Sequence, residues 1–278
     1  MFRIRPAAAP AMRVLRAATP APGVVRRFVT FAGGDGTPIP GYLFESQGRG
    51  RRPAVLVLSG HGHGIVETAG LVPSYQNSVA LRLARAGYVA FTPELRGFGY
   101  LGPRAGFEHS FVAYNAFLAG SFYKAVLARA VDLLQTLPSV DPARLAVTGV
   151  SYGGEMAVTY AALDTRLRVV VAQGYGGEGV GPYPGRTGGW FTPPDHYCHV
   201  IPGANRFMGM EDLFLLIAPR PLLVVRGTAN RPPSDTTWRL VRASYAALGH
   251  EGAFVYHVAP GGHEYFVEPA LTFLRGKL

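Results

Sequence analysis

Cysteine occurs once in the 278 residues, at Cys198, which excludes an internal disulfide framework and any zinc site built on cysteines. A single thiol fits a reducing compartment. Lysine is nearly as scarce: Lys124 and Lys277 are the only two, so the formal charge of +10 is carried almost wholly by arginine. The arginines are scattered, with short pairs at Arg26-Arg27 and Arg51-Arg52, and form no stripe interleaved with aromatics that would follow a nucleic acid. The basic surface is read as solvated, with weak attraction for anions, and no nucleic-acid partner is expected. No apolar run approaches membrane-spanning length, so no membrane span is expected either. Acidic residues are absent before Asp35, and residues 1–23, rich in Ala, Pro and Arg, lack the continuous apolar core of a secretory signal. That segment is read as a disordered or loosely docked arm, and the chain as cytoplasmic. Repeats and interdomain linkers are also missing. With 48% hydrophobic residues overall, residues 24–278 can bury the core of one domain.

From residue 24 the pattern becomes regular. Residues 24–31 and 39–44 flank Gly33-Gly34-Asp35-Gly36 and read as a β-hairpin. Ala54-Val55-Leu56-Val57-Leu58 is continuously apolar, as a strand covered on both faces must be, and it runs into Ser59-Gly60-His61-Gly62-His63-Gly64. A helix over 75–86, a strand over 88–93, a loop at 94–99 and a helical stretch over 110–137 follow. Beyond an apolar run at 145–148 and a helix over 155–163, a further strand covers 167–172. Residues 173–210 have little periodicity and hold Trp190, His196, Cys198 and His199; they read as a lid or pocket insert. Strands at 222–227 and 253–258 enclose a helix at 236–248, and Pro260-Gly261-Gly262-His263 opens the last helix. The alternation predicts an α/β architecture, a mostly parallel sheet flanked by helices behind an N-terminal hairpin.

The chemistry concentrates at Gly149-Val150-Ser151-Tyr152-Gly153-Gly154, between the run at 145–148 and the helix at 155–163. Strand, G-x-S-x-G and helix together make a nucleophile elbow, in which a sharp turn lifts the serine hydroxyl clear of the backbone. Ser151 is therefore the candidate nucleophile and His263 its general base. Backbone N–H groups of Tyr152 and His63 are the candidate oxyanion donors. His61 and His63 lack a third ligand at suitable spacing, so no metal and no other cofactor is expected. Glu94 and Arg96 are read as a structural pair beneath the site.

Three pieces thus stand in one order: the glycine-rich loop at 60–64, Ser151 at mid-chain, and His263 after the last strand. That order resembles the α/β-hydrolase fold, and residues 53–278 are similar to its dienelactone hydrolase and acetyl-esterase branch. The similarity is carried by His61-Gly62-His63-Gly64, Leu95-Arg96-Gly97-Phe98-Gly99, the elbow, Ile217-Ala218-Pro219-Arg220-Pro221-Leu222-Leu223 and Pro260-Gly261-Gly262-His263-Glu264. Dienelactone hydrolases proper carry cysteine at the elbow, where this chain has serine. The family pattern places the triad acid soon after the penultimate strand, yet Asn230 stands there, and an amide cannot stabilise an imidazolium by charge. Asp235 is the first choice of acid, Glu178 the second, Asn230 itself the third. The resemblance implies a serine carboxylic-ester hydrolase working on small acyl esters through an acyl-enzyme. Lactone or amide hydrolysis, acyl transfer by the same Ser-His pair, and an inactive binding protein remain as alternatives, and the oligomeric state is open.

Overall fold

The computed structural model describes residues 6–48, 50–102, 126–176, 209–230 and 235–278, the side chains at 210, 211 and 235 excepted. Glu178, Trp190, His196, Cys198 and His199, with nearly all of the 173–210 insert and the first part of the 110–137 helix, lie outside the described residues. Nine strands form one sheet: β1 Met12–Ala21, β2 Val24–Ala32, β3 Pro38–Ser46, β4 Arg52–Leu58, β5 Val89–Pro93, β6 Val140–Val150, β7 Val169–Gln173, β8 Leu222–Gly227 and β9 Phe254–Ala259. Their order is β1-β2-β3-β5-β4-β6-β7-β8-β9. β1 to β3 and the β3–β5 pairing are antiparallel, and from β5 to β9 every neighbour is parallel. The chain folds as the α/β-hydrolase sheet anticipated from its alternation of strands and helices.

The segment before residue 24 departs from expectation. Instead of a loose arm, it supplies β1, which adds to the hairpin edge with Arg16 opposite Phe28 and Ala18 opposite Arg26. Backbone pairing along a ready edge, rather than side-chain hydrophobicity, holds this strand, so its Ala- and Arg-rich composition hides it.

Each central strand feeds two cores. In β4, Leu56 and Leu58 face the layer built on α3 (Ala128–Thr136) and α4 (Tyr152–Leu163), with Val131, Leu134, Met156 and Val158. Val55 and Val57, one residue out of phase, face α2 (Val79–Arg85) and α7 (Val267–Lys277), against Leu83, Leu271 and Leu274. A short α1 (Ile65–Thr68), α5 (Met210–Ile217) and α6 (Asp235–Ala247) complete the described α-helices. The period of two thus explains why the strand runs read as uninterrupted apolar segments. α4 is buried along nearly its whole length, from Tyr152 to Ala162. Its C-terminal end is held by the Arg220 guanidinium, which donates to the carbonyls of Ala161, Asp164 and Leu167 at 2.7–3.1 Å. A cation there satisfies orphan carbonyls and opposes the negative end of the helix dipole. α4 is thereby fixed against the sheet with its N-terminus at the site.

Candidate active site

Ser151 is the residue between β6 and α4, and its backbone has φ 59° and ψ −126°, a strained conformation for a non-glycine residue. The turn leaves no room beside it. A Cβ on Gly149 would collide with the Gly153 backbone, and one on Gly153 with the Leu58 carbonyl of β4. The flanking glycines therefore permit the elbow to sit directly on the sheet. The Ser151 N–H donates to the Gln173 carbonyl at the end of β7, at 2.8 Å.

The Ser151 side chain lies near enough to the Tyr75 phenol to favour its ionised form, and Tyr75 Oη donates to the His61 carbonyl at 2.7 Å. Burial pushes the Tyr75 phenol up to about 12, so it keeps its proton at neutral pH. The Tyr75 ring also stacks on the His263 imidazole, with centroids 5.6 Å apart and planes inclined by 28°. One tyrosine thus stacks on the expected base and stands near the expected nucleophile. It lies in the irregular stretch Pro73-Ser74-Tyr75-Gln76, and no local pattern marks it as functional.

His263 follows β9 in a loop fastened at several points. Buried Gln173 grips the backbone of Phe266 from both sides: the Phe266 N–H donates to Oε1 at 2.7 Å, and Nε2 donates to the Phe266 carbonyl at 3.1 Å. Tyr265 donates its N–H to the Tyr75 carbonyl at 2.8 Å, and Asn77 Nδ2 donates to the Tyr265 carbonyl at 2.9 Å. The Cε1 and Nδ1 atoms pack on Gly174, where an added Cβ would stand 3.0 and 3.2 Å from them. Partial burial lowers the pKa of His263 below its ordinary value of 6.5, which keeps the ring neutral and basic at neutral pH.

Beside His263 lies a cavity of about 210 Å³ lined by Gly174, Gly176, Arg226, Asn230, Trp238 and Tyr256, among others. Arg226 donates to the Tyr256 hydroxyl at 3.0 Å and to the Asn230 carbonyl at 2.5 Å. Trp238 Nε1 is buried and has no acceptor among the described residues. Asn230 shares the cavity with His263. Asp235 begins α6 as its first residue, but its side chain lies outside the described atoms, as does Glu178 two residues beyond Gly176.

The glycine-rich loop differs from expectation in one respect. The His63 N–H, expected to be free for an oxyanion, donates to Glu67 Oε1 at 2.7 Å. Glu67 is buried, and Gln76 bridges it to the loop: Nε2 donates to Glu67 Oε2 at 2.6 Å, and the Gly60 N–H donates to Gln76 Oε1 at 2.9 Å. A buried carboxylate needs donors, and the loop backbone supplies one. Tyr152 places its N–H in the first turn of α4, and its ring packs between His61 and Phe98 at 5.0 Å from each.

The expected pairing of Glu94 with Arg96 is not formed. Arg96 reaches instead to Asp35 in the hairpin turn, with both carboxylate oxygens at 2.6 and 2.8 Å from Nη2. Glu94 is fully buried, accepts the Tyr100 N–H at 3.0 Å and lies against Gly64 and Gly99. Burial raises its pKa to about 7. It ties the glycine-rich loop to the 94–101 loop rather than to an arginine.

Comparison with known proteins agrees with this fold. The chain resembles an acetyl xylan esterase-type protein from Bacteroides fragilis (19% identity, TM-score 0.70, covering 94% of this chain and 72% of that one). A glucuronoyl esterase from Solibacter usitatus matches at 17% identity and TM-score 0.63, over 99% of this chain and 88% of that one. An acetyl xylan esterase from Paenibacillus sp. R4 matches at 18% and 0.58, over 97% and 89%. At such identities the likeness shows the fold. No curated protein matches the chain by sequence. The model of the dienelactone hydrolase family matches residues 39–184, from the hairpin through the elbow and beyond β7. With more than half its length so matched, the chain belongs to the dienelactone hydrolase family and is a carboxylesterase-like hydrolase with the α/β-hydrolase fold.

Proposed function

We propose that the protein hydrolyses small carboxylic esters by a serine acyl-enzyme route, with Ser151 as nucleophile and His263 as base. The observation that carries this reading is the convergence of the strained Ser151 and of His263, far apart in sequence, on the single side chain of Tyr75. Esterase names among the structural neighbours support the ester class, and two of them are named for acetyl xylan.

In this route Ser151 Oγ attacks the ester carbonyl carbon while His263 takes its proton. The carbonyl π pair moves onto oxygen, and the tetrahedral oxyanion collapses as His263 protonates the leaving alcohol. Water then repeats the sequence on the acyl-enzyme and regenerates the serine. The Tyr152 N–H, at the positive end of α4, is one oxyanion donor. Because Glu67 engages the His63 N–H, the Tyr75 hydroxyl is the second donor, turning from the His61 carbonyl to the developing charge. The cavity beside His263 collects donors from Arg226, Asn230 and Trp238, a setting that suits a carboxylate as the third triad member.

A fluorophosphonate probe tests the nucleophile directly. Wild-type protein is expected to be labelled and to hydrolyse p-nitrophenyl acetate, and folded Ser151→Ala to do neither. Turnover that survives Ser151→Ala would end the reading of Ser151 as nucleophile.

A further inference from the structure

A second concavity lies on the antiparallel side of the sheet, away from the serine. It measures about 360 Å³, within the range of small-molecule sites, and is lined by Arg16, Arg26, Phe28, Tyr42, Leu71 and Tyr100, with Ala17 and Ala18. The strand register brings the first four together. Arg16 on β1 is opposite Phe28 on β2, and Phe28 is opposite Tyr42 on β3, while Arg26 lies two residues from Phe28 on the same face.

Both guanidiniums rest on aromatic rings. Arg16 lies 5.3 Å from the Phe28 centroid and Arg26 5.6 Å from that of Tyr42. A guanidinium held over a ring is steadied by the ring face and keeps N–H donors that can bind carboxylate or phosphate oxygens. Among the described residues neither arginine has a carboxylate partner, whereas Arg27, next to Arg26 in sequence, pairs with Glu45. Two like charges facing one concavity repel each other, and an anion between them would relieve that repulsion. Both arginines reach the Tyr42 hydroxyl electrostatically, and that hydroxyl lies 3.4 Å from the Tyr100 hydroxyl. Tyr100 and Leu71 are 51% and 41% exposed, a large apolar surface left open beside the cationic pair.

We propose that this groove is a binding site for a small organic anion, its carboxylate or phosphate held by Arg16 and Arg26 and its apolar body lying against Tyr100 and Leu71. The site is independent of the hydrolase reading. The 94–101 loop separates the two, with Phe98 packed on Tyr152 and His61 on one side and Tyr100 at the groove on the other.

Isothermal titration of the full chain with 2-naphthoate, 2-naphthyl phosphate and uncharged 2-naphthol tests it. At least one anion is expected to bind saturably, and the naphthol more weakly by about tenfold or more. Which anion binds better separates a carboxylate from a phosphate ligand. Arg16→Ala and Arg26→Ala should each weaken binding by roughly tenfold to a hundredfold, and added salt should weaken it further. An unchanged thermal midpoint and unchanged ester turnover would show that these variants are folded. Absence of saturable binding, naphthol binding as tightly as the anions, or full affinity in both arginine variants would overturn the proposal.

Discussion

Gln173 joins the turn that carries Ser151 to the loop that carries His263, and replacing it by leucine isolates that role. Its backbone carbonyl accepts the Ser151 N–H and its buried side chain makes two hydrogen bonds to Phe266, three residues after His263. Leucine keeps the volume and the serine contact but loses both side-chain bonds. Each is worth about 1 kcal/mol net, and up to about 2 kcal/mol where the partner group is left buried and unpaired. Phe266 is partly exposed, so water compensates part of the loss, and the expected cost is about 2–3 kcal/mol. For a chain of this size that corresponds to a fall in Tm of roughly 5–10 °C. A displacement of His263 by an ångström should cost about a hundredfold in rate, and a partial shift about tenfold. The assay is p-nitrophenyl acetate turnover at a temperature where circular dichroism shows the variant fully folded. A ten- to hundredfold fall in kcat, approximately, with little change in KM is expected. Lower Tm with wild-type kcat would refute the positioning argument and leave Gln173 a purely structural group.

Three further outcomes are expected. Tyr75→Phe keeps the ring stacked on His263 but removes the hydroxyl; kcat should fall by roughly tenfold to a hundredfold with KM nearly unchanged, and equal kcat would remove Tyr75 from the oxyanion site. Glu94 holds its proton more tightly folded, with a pKa near 7, than at its ordinary 4.5, so its contribution to stability is full below about 4.5 and is lost as pH rises through about 7. Denaturation of wild type between pH 5 and pH 8, approximately, should show a loss of up to about 3 kcal/mol that Glu94→Gln lacks; parallel pH profiles would contradict this. Asp235→Asn should lower kcat, by up to about 10⁴-fold, more than Glu178→Gln does if Asp235 is the triad acid, and the reverse order would give that role to Glu178.

How far the sequence discloses this molecule depends on how local the determining physics is. The elbow was legible because a five-residue turn must satisfy its own sterics: Gly149 and Gly153 are required wherever Ser151 stands between a strand and a helix. β4 was legible because Val55 and Leu56 serve opposite cores, so no polar residue can interrupt the run. β1 was not, because its place depends on an edge provided by β2 and its own residues are largely exposed. Strand boundaries drifted for a related reason. β6 begins at Val140, five residues before its apolar run: Val140 is buried and pairs with Arg52 of β4, but residues 141–144 are partly or fully exposed and separate it from the run.

In the candidate site, the residues that carry a local signature were legible in the sequence, and those whose place depends on remote partners were not. Ser151 and His263 stand beside glycines at strand ends, a local signature. Tyr75, Glu67, Gln76 and Gln173 acquire their roles only when remote segments meet, and each reads in isolation as an ordinary polar side chain. The burial of Glu67 and Gln76 shows why their partners could not be assigned from spacing. A buried carboxylate takes whichever donors the fold brings, here the His63 N–H and the Gln76 amide, and so claims a backbone group that the motif alone assigned to the oxyanion. Glu94 follows the same rule, accepting a backbone N–H from Tyr100 while Arg96 turns outward to Asp35. Motif spacing locates the groups that must be present. Competition among buried polar groups then decides which of them are available to the substrate.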